Sequence, residues 1–297
     1  MKDKMVAMVK RIQDEICEAI EARERVPFHE DKWKREGGGG GRTRVIQGGS
    51  IFEKAGVNVS QVYGTLSPEA ASEMGGGHDS SDLSFFATGV SLVMHPNNPF
   101  VPTVHANFRY FERGDGSSWW FGGGADLTPS YLFEEDATHF HQTFKNACDL
   151  HDAAYYPKFK KWCDEYFYIK HRGESRGVGG IFFDNHKAPD AERAFSFTKD
   201  CADAFLPSYL PILDRRLGSE FTSAQKDWQQ IRRGRYVEFN LVYDRGTKFG
   251  LNTQGRIESI LMSLPLTSRW EYCHETEKGS AEEALVDVLK NPREWAP

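Results

Sequence analysis

The chain has 297 residues, a net charge of −6, 39% hydrophobic residues and 13% aromatic residues. These values are typical of a soluble globular protein and argue against disorder or a protein that coats nucleic acid. The longest nearly uncharged apolar stretch, Leu83 to Met94, falls far short of the roughly 20 residues of a membrane-spanning helix. No linker divides the chain, so we predict a single domain over residues 1–297 without a membrane span.

The cysteine pattern indicates a reducing compartment. The five cysteines are odd in number and none lies closer than fifteen residues to the next, which favours neither a disulfide framework nor a Cys-x-x-Cys metal site. The segment Met1 to Glu24 contains several acids and lacks the apolar core of a signal peptide. We therefore predict a cytoplasmic protein.

Helical periodicity opens the chain and recurs twice near its middle. Apolar residues follow the helical spacing over Met5–Ala19, Phe133–Ala147 and Tyr155–Ile169. Further helix is expected around residues 190–206 and 222–233, and a capping box at Ser280 begins a C-terminal helix. Helices are thus predicted before and after the main cluster of strands.

Strand-like runs lie between these helices, joined in places by short turns. They are Phe85–His95, Val101–Glu112, Ser118–Gly123, Val178–Asp184 and Arg235–Tyr243. Short turns between consecutive strands predict antiparallel pairing. Because helices precede and follow the strand cluster, the predicted class is α+β, with an antiparallel sheet covered by helices.

One predicted strand carries a polar stripe. Side chains alternate between the faces of a strand, so His105, Asn107 and Arg109 share one face, while Ala106 and Phe108 point to the other. The plain alternative is a face that points to water. Solvated faces usually carry Lys, Glu and Thr, however, whereas these donors are suited to holding carboxylates. The stripe is therefore a candidate binding site.

A hairpin centred near Asn98 would bring the preceding strand alongside this stripe. The expected pairing sets His95 opposite His105 and Ser91 opposite Arg109. Histidine, serine and arginine side chains would then converge on one area of the sheet.

The next strand runs from Trp119 through a glycine triplet to Asp126. Glycines allow a ligand to approach the backbone closely, and aromatic side chains could line a flat ligand. Asp126 is expected near His105. The triplet lacks the strand, loop and helix context of a phosphate-binding loop, so nucleotide binding is rejected.

Several histidines raise the question of a metal. His139 and His141 lie about 200° apart on one predicted helix, so at most one of them faces a site. His141 and His171, with His95 and His105, would form a set able to bind a divalent transition metal, but no ligand spacing supports it. The alternative is that they hydrogen-bond at helix ends, above all His171.

A basic segment, Gln229–Arg256, has a local charge of +4 and should attract a polyanionic ligand. Nucleic acid is disfavoured because the segment is short and the chain is net negative. Arg256, in an expected tight turn, is the best candidate, whereas Arg232 and Arg233 could equally belong to a helix end. The apolar stripe Ile257–Leu264 that follows could seal a dimer.

These regions also carry long motifs that span nearly the whole chain. They are Val90–Pro96, Val104–Phe111, Trp119–Asp126 and Arg235–Leu241, with further matches at Phe52–Ser60, Lys161–Phe167 and Trp270–Tyr272. In this order the motifs resemble the oxygen-dependent coproporphyrinogen III oxidases. The resemblance implies a flat, largely antiparallel sheet of about seven strands between layers of helices, assembled as a homodimer.

The resemblance also implies a chemistry. Such enzymes oxidatively decarboxylate the ring A and B propionates of coproporphyrinogen III to vinyl groups, giving protoporphyrinogen IX, CO2 and H2O2 in haem biosynthesis. O2 is the co-substrate and no flavin or haem is required, because the electron-rich pyrroles can supply the electrons.

By motif match, the resemblance assigns roles to individual residues. The substrate-binding residues would be Ser91, Asn107, Phe108, Arg109, Gln254, Gly255 and Arg256. His105 corresponds to the family's proton donor, Arg109 would hold a propionate, and Asp126 would accept or orient pyrrole N–H hydrogens. The positions His95, His105, His141 and His171 correspond to proposed ligands of a divalent metal such as Mn in bacterial relatives, although other members work without metal.

Two departures from the family pattern and two rival functions remain. Asn185 follows Asp184 where many members have a second aspartate, and Gln254 replaces a glycine. The resemblance associates His171 and Tyr236–Glu271 with dimer contacts.

The rival functions are a histidine–metal oxygenase that acts on another aromatic acid and a carrier that binds a tetrapyrrole without converting it.

Overall fold

The computed structural model describes residues 1–66, 82–114, 118–252 and 255–296. The strands are β1 (His29–Lys34), β2 (Gly39–Gln47), β3 (Phe52–Thr65), β4 (Ser84–Pro96), β5 (Thr103–Arg113), β6 (Ser118–Thr128), β7 (Tyr168–Ile169), β8 (Glu174–Ser175) and β9 (Gly179–His186). The helices are α1 (Lys2–Glu21), α2 (Glu134–Asp149), α3 (Tyr155–Tyr166), α4 (Ala191–Asp203), α5 (Phe205–Arg216), α6 (Ser223–Val242), α7 (Arg245–Asn252), α8 (Ile257–Leu261) and α9 (Ala281–Lys290).

Seven strands form one antiparallel sheet in the order β1-β2-β3-β4-β5-β6-β9, and β7 pairs with β8 in a short hairpin. Consecutive strands from β1 to β6 are neighbours, and α1 precedes them while the other helices follow. This arrangement confirms the predicted α+β class. None of the helices in the described ranges is long and apolar enough to cross a bilayer.

The two faces of the sheet have opposite character. The face that carries Leu92, Ala106 and Phe108, here called the core face, packs against α1, α2, α4 and α5 through one large apolar cluster. The face that carries Asn107 and Arg109, here called the site face, is only partly covered. The predicted alternation along β5 is therefore confirmed, because buried and half-buried side chains alternate from Val104 to Tyr110.

The prediction of a strand over Arg235–Tyr243 is wrong. These residues belong to the long helix α6, which begins at a capping box formed by Thr222 and Gln225. Apolar residues at alternate positions in this segment resemble a strand, but the residues that α6 buries, Tyr236, Phe239 and Asn240, follow helical spacing. The helix register therefore overrides the apparent period of two.

Three strands that precede the predicted cluster were missed. Strand β1 is mostly charged and exposed, and β2 begins within the glycine run Gly37–Gly41 that reads as low complexity in the sequence. Gly40 and Gly41 pair with Lys34 and Trp33 of β1. The edge strand β1 needs no apolar pattern, because it buries little surface. Strand β3 lies inside the sheet, but its buried part, Phe52–Val57, includes the charged residues Glu53 and Lys54 and so lacks a continuous apolar pattern.

Candidate active site

The pairing of β4 with β5 differs by two residues from the expected register. Ser91 lies opposite Asn107, Val93 opposite His105, and the residue opposite Arg109 is a glycine. A register shift by an even number of residues keeps every side chain on its predicted face, so the polar residues of the stripe still share one face. The connection between the strands sets the register, since Asn98 receives hydrogen bonds from the backbone N–H groups of two of the residues that follow it.

Glycines form much of the floor of the site face. On neighbouring strands this face carries Gly41, Gly89, Gly122 and Gly124, in or beside the rows of Ser91 and Arg109. A Cβ atom on Gly122 would lie 2.8 Å from Arg109 Nε and 2.9 Å from Asp184 Oδ1. A side chain at Gly122 would therefore displace the polar groups that lie above this part of the floor.

The aromatic lining is smaller than the sequence suggests. Trp120 lies on the site face, stacks on Phe111 at a ring distance of 5.2 Å and lies 5.6 Å below the guanidinium carbon of Arg109. Trp119 and Phe121 point to the core face, and Phe121 is fully buried there. Of Trp119, Trp120 and Phe121, only Trp120 can line a ligand on the site face.

His105 and Asp126 form a hydrogen-bonded pair at the inner end of the stripe. They are opposite each other on β5 and β6, and 2.7 Å separates His105 Nδ1 from Asp126 Oδ1. A carboxylate only accepts, so Nδ1 carries a proton and donates it. Within the described ranges Nε2 of His105 has no hydrogen-bond partner, and it is the nitrogen left for a ligand. The expectation that Asp126 lies near His105 is confirmed.

Asp126 is almost fully buried, with 2% of its side chain exposed, and its second oxygen accepts from Arg176 Nη2 at 2.8 Å. Burial alone would raise the pKa of Asp126, but the positive charge of Arg176 and the hydrogen bond from His105 lower it below its usual value. The carboxylate is therefore ionised and fixed at both oxygens. Direct contact between Asp126 and a ligand, as the family resemblance implies, is disfavoured by these two partners.

Arg109 occupies the more open end of the stripe, where 32% of its side chain is exposed. Its guanidinium donates to Asn107 Oδ1 at 2.8 Å and lies 3.0 Å from Asp184 Oδ1. Asp184 is on β9, and Arg245 approaches it at 3.9 Å. A guanidinium has five N–H donors, so Arg109 keeps donors for a further carboxylate.

Arg256 lies on the far side of the same face. It forms an ion pair with Asp31 of β1, and its guanidinium carbon is 6.0 Å from the Trp33 ring. Four strand spacings, roughly 19 Å, separate β1 from β5 and Arg109. Gly255 adjoins Arg256, whereas Gln254 lies outside the described residues. Two arginines thus flank the glycine floor.

The remaining substrate-binding assignments divide between the two faces. Ser91 is half-buried on the site face, in one row with Asn58 and Asn107. Phe108 is 1% exposed and lies in the core cluster. Its side chain cannot contact a ligand on the site face, because neighbouring residues of a strand point in opposite directions. Only the Phe108 backbone belongs to the floor.

The four candidate metal-binding histidines are engaged with protein groups. His95 is fully buried and donates to Ser263 O at 2.8 Å, and His141, also fully buried, bonds to Val178 O at 3.0 Å and to Tyr156 OH at 2.9 Å. Desolvation by burial lowers the pKa of both rings to about 3. Both rings are therefore neutral parts of the packed interior.

His171 hydrogen-bonds to Tyr243 OH at 2.7 Å and to Glu238 at 2.6 Å. Across the described ranges no three or more His, Cys, Asp or Glu side chains form a group that could hold a metal ion. The structure therefore does not bring His95, His105, His141 and His171 together as ligands, and their donor atoms do not fit a common metal centre.

Sequence reasoning missed Arg176, the buried partner of Asp126. It also treated Asp184 only as the neighbour of an unusual Asn185. An isolated arginine between Ser175 and Gly177 carries no local signal, because its partners are 50 and 64 residues away along the chain. A glycine floor between two arginines, with a fixed aspartate–histidine pair at one end, suits a flat anionic ligand and proton transfer to it.

Comparisons with known proteins agree with the resemblance in the motifs. The family model described as coproporphyrinogen III oxidase matches residues 4–295. The chain is 57% identical to coproporphyrinogen-III oxidase 1, chloroplastic, of Arabidopsis thaliana, over 97% of this chain and 78% of that protein. It is 56% identical to the oxygen-dependent coproporphyrinogen-III oxidase of Drosophila melanogaster, over 99% and 78%, and 56% identical to the mitochondrial enzyme of Mus musculus, over 99% and 69%.

Proposed function

Because the chain belongs to the coproporphyrinogen III oxidase family, we propose that the site face performs the family's reaction with His105, Asp126 and Arg109 as its principal groups. The chain is an enzyme that oxidises coproporphyrinogen III with O2 in haem biosynthesis. The observation that carries the residue roles is geometric: His105 and Arg109 are four residues apart on one face of β5, and Asp126 holds His105.

The reaction at each propionate sets the tasks of the site. A C–H bond beside the pyrrole ring and the bond to the carboxylate break, a C=C bond forms, and CO2 leaves. O2 accepts the two electrons and takes up the released proton and one further proton, giving H2O2. The site must therefore hold a carboxylate, direct a proton and let O2 reach an electron-rich ring.

His105 is placed to direct the proton. Asp126 fixes the proton on Nδ1, so that Nε2 faces the ligand as acceptor when His105 is neutral and as donor when it is charged. We assign the contact with substrate to Nε2 and the orientation of the ring to Asp126. This differs from the role that the resemblance gives Asp126, because both of its oxygens have protein partners.

Arg109 is placed to hold a propionate. Its guanidinium is half-exposed and anchored by Asn107, and its remaining N–H groups can bind a carboxylate with two hydrogen bonds. Arg256 is the second cation on this face, and we propose that it binds another carboxylate of the same macrocycle after leaving Asp31. Ser91 and Asn107, which lie opposite each other on β4 and β5, supply neutral hydrogen-bonding groups on this face.

A direct assay tests this assignment. Chelator-treated protein is incubated with coproporphyrinogen III with and without O2, and the products are oxidised to porphyrins and identified by mass spectrometry. We expect loss of two CO2 per substrate only in air. Binding without conversion would support a carrier, and conversion restored only by Fe(II) or Mn(II) would support a metal oxygenase.

We propose that the reaction needs no resident cofactor beyond the co-substrate O2. The support is the state of the candidate ligands, since the ring nitrogens of His95, His141 and His171 already have protein partners. A divalent metal such as Mn is the alternative, and the chelated assay above decides between them.

We also propose that the enzyme is a homodimer. Exposed apolar side chains are concentrated near the end of α6 and beyond it: Leu241, Val242, Phe249, Leu251, Ile257, Leu266, Trp270 and Tyr272. A partner subunit would cover such a surface. Sedimentation equilibrium should give twice the chain mass, and Val242→Asp should shift the protein toward the monomer.

Two further assignments concern the whole chain. We propose that residues 1–297 act as a single domain, because one apolar cluster includes residues from Met5 to Ala296. We propose a cytoplasmic location on the basis of five free cysteines, four of them buried. Several relatives are described as chloroplastic or mitochondrial, and imaging of the tagged full-length protein would distinguish these locations.

A further inference from the structure

Arg176 lies behind the His105–Asp126 pair and touches no part of the open site. It follows the β7–β8 hairpin, and 2% of its side chain is exposed. One terminal nitrogen donates to Asp126 Oδ2 at 2.8 Å and the other donates to Asn240 Oδ1 of α6 at 2.7 Å. The guanidinium therefore joins the carboxylate to a helix on the site side of the sheet.

Three aromatic rings enclose the same guanidinium. Its central carbon is 4.1 Å from the centre of the Phe167 ring, 4.5 Å from that of Tyr236 and 4.9 Å from that of Phe239. Phe167 also packs edge to face against His105, with 5.9 Å between ring centres. The rings exclude water from the ion pair, and they fix the direction from which Arg176 approaches Asp126.

This environment makes the charge of Asp126 dependent on one partner. A buried carboxylate without a counter-charge takes up a proton, because burial penalises the ionised form. The other ionisable groups near Asp126 are His105, which is its hydrogen-bond donor, the Cys163 thiol and the Tyr236 phenol. None of these three groups supplies a permanent positive charge. A protonated Asp126 could no longer serve as a purely accepting partner for His105 Nδ1.

We propose that Arg176 is a positioning residue for the reaction: it keeps Asp126 ionised and aligned, so that His105 presents Nε2 to the substrate. This inference rests on the proposed function of His105. Arg176 acts through Asp126 and does not itself meet the substrate. Its fork geometry matters as well as its charge, because two nitrogens are needed to reach Asp126 and Asn240 together.

The test compares Arg176→Gln with Arg176→Lys and with a matched control. Arg232 is another buried arginine in an ion pair, 2.8 Å from Glu174, and it does not contact Asp126. We expect Arg176→Gln to lower kcat by roughly 100-fold with little change in KM. The acid limb of its kcat–pH profile should move to higher pH by about 1 to 3 units, because Asp126 loses its counter-charge.

Arg176→Lys restores the charge but not the two-point contact, so it should recover the position of the acid limb and only part of kcat. Arg232→Gln should lose comparable stability and keep the wild-type pH profile. In protein labelled with 15N-histidine, the Nδ1 proton signal of His105, identified by its loss in His105→Gln, should change in Arg176→Gln and persist in Arg232→Gln.

The outcomes separate this inference from the proposed function. A wild-type protein that converts no coproporphyrinogen III would overturn the proposed function, whatever the variants do. An active wild type whose Arg176→Gln variant keeps both the acid limb and the His105 signal would overturn the positioning role. If Arg176→Gln does not fold, Asn240→Ala decides, because it removes the second anchor of Arg176 and should shift both readouts in the same direction by a smaller amount. Unchanged readouts there would also overturn the inference.

Discussion

The two faces of the sheet have different roles, although the same strands form both. On the core face, Ala106 and Phe108 are buried against helices, and their apolar contacts supply stability. On the site face, Asn107 and Arg109 are half-buried beside a glycine floor and hydrogen-bond to each other. Neighbouring residues of β5 therefore contribute to different properties, one to the stability of the fold and the next to the active site. Substitutions one position apart should change the free energy of unfolding and the kinetic constants separately.

The inner end of the site face is the exception to this division. Asp126 and Arg176 are as buried as the core residues, yet they are an ion pair rather than apolar side chains. Breaking one partner of a buried pair leaves an uncompensated charge, which is strongly destabilising. At this end the same contact contributes to both folding and catalysis.

The largest effect is expected from Asp126→Asn. The amide does not carry the negative charge that orients and stabilises the His105 ring, so kcat of the folded fraction should fall by about 100- to 10,000-fold. Steady-state assays of O2-dependent product formation measure it. Asp136→Asn is the matched control, since Asp136 is also buried and paired with arginines, but between α2 and α5. Near-normal turnover by Asp126→Asn would contradict the assigned role.

A core-face substitution should show the reverse pattern. Phe108→Ala removes a buried ring and should lower the free energy of unfolding by about 3 to 5 kcal/mol, while kcat/KM per folded molecule stays unchanged. Urea titration and assays at low temperature measure the two quantities. Asn107→Ala, one residue away, should raise KM with little loss of stability. Equal stability losses in the two variants would contradict the division between faces.

Arg109→Gln should weaken substrate binding. A charge-assisted hydrogen bond to a carboxylate contributes about 1.5 to 3 kcal/mol, so kcat/KM should fall by roughly 10- to 150-fold, mainly through KM. Arg23→Gln serves as the control, because Arg23 also pairs with an aspartate but lies in the turn after α1, away from the site. An unchanged KM in Arg109→Gln would exclude a contact with the propionate.

Acid should lower the free energy of unfolding through one buried histidine on each side of the sheet. We expect these two effects to be similar to each other and smaller than those of the substitutions above. His95 contacts site-side residues and His141 contacts the core, and burial lowers the pKa of each to about 3. Between pH 6.5 and pH 3 the unfolded chain binds protons that the folded chain does not, so stability falls as pH falls. The slope should reach up to about 1.4 kcal/mol per pH unit for each histidine.

Urea unfolding at several pH values measures this slope. His141→Gln should reduce it by the contribution of one proton, because the unfolded variant lacks that ring. A slope unaffected by His141→Gln would show that this ring is not neutral in the folded protein.

The sequence was sufficient for those features that depend on local alternation. The α+β class, the polar stripe on β5 and the proximity of Asp126 to His105 all follow from patterns within a few residues. The register of β4 on β5 did not follow, because face alternation fixes pairing only to an even number of residues. Strand β1 was missed because it is charged and mostly exposed, and the helix at Arg235–Tyr243 was misread because its apolar residues also recur at alternate positions.

The candidate site was predictable only in part for the same reason. Residues on neighbouring strands were found from their spacing, whereas Arg176 and the ion pairs of Arg109 and Arg256 join elements far apart in sequence. The Phe108 assignment came from a motif, which does not indicate whether a side chain or a backbone contributes.

The strand order has a consequence for folding. Strands β1 to β6 pair with their neighbours in sequence, so their hairpins close short or moderate loops, whereas β9 reaches β6 only after two helices and the β7–β8 hairpin. Long loops cost more entropy to close and form contacts later. We therefore expect Asp126 to remain hydrated during early assembly and to lose its water only when the segment bearing Arg176 docks, so that the enzyme acquires its structure before its chemistry.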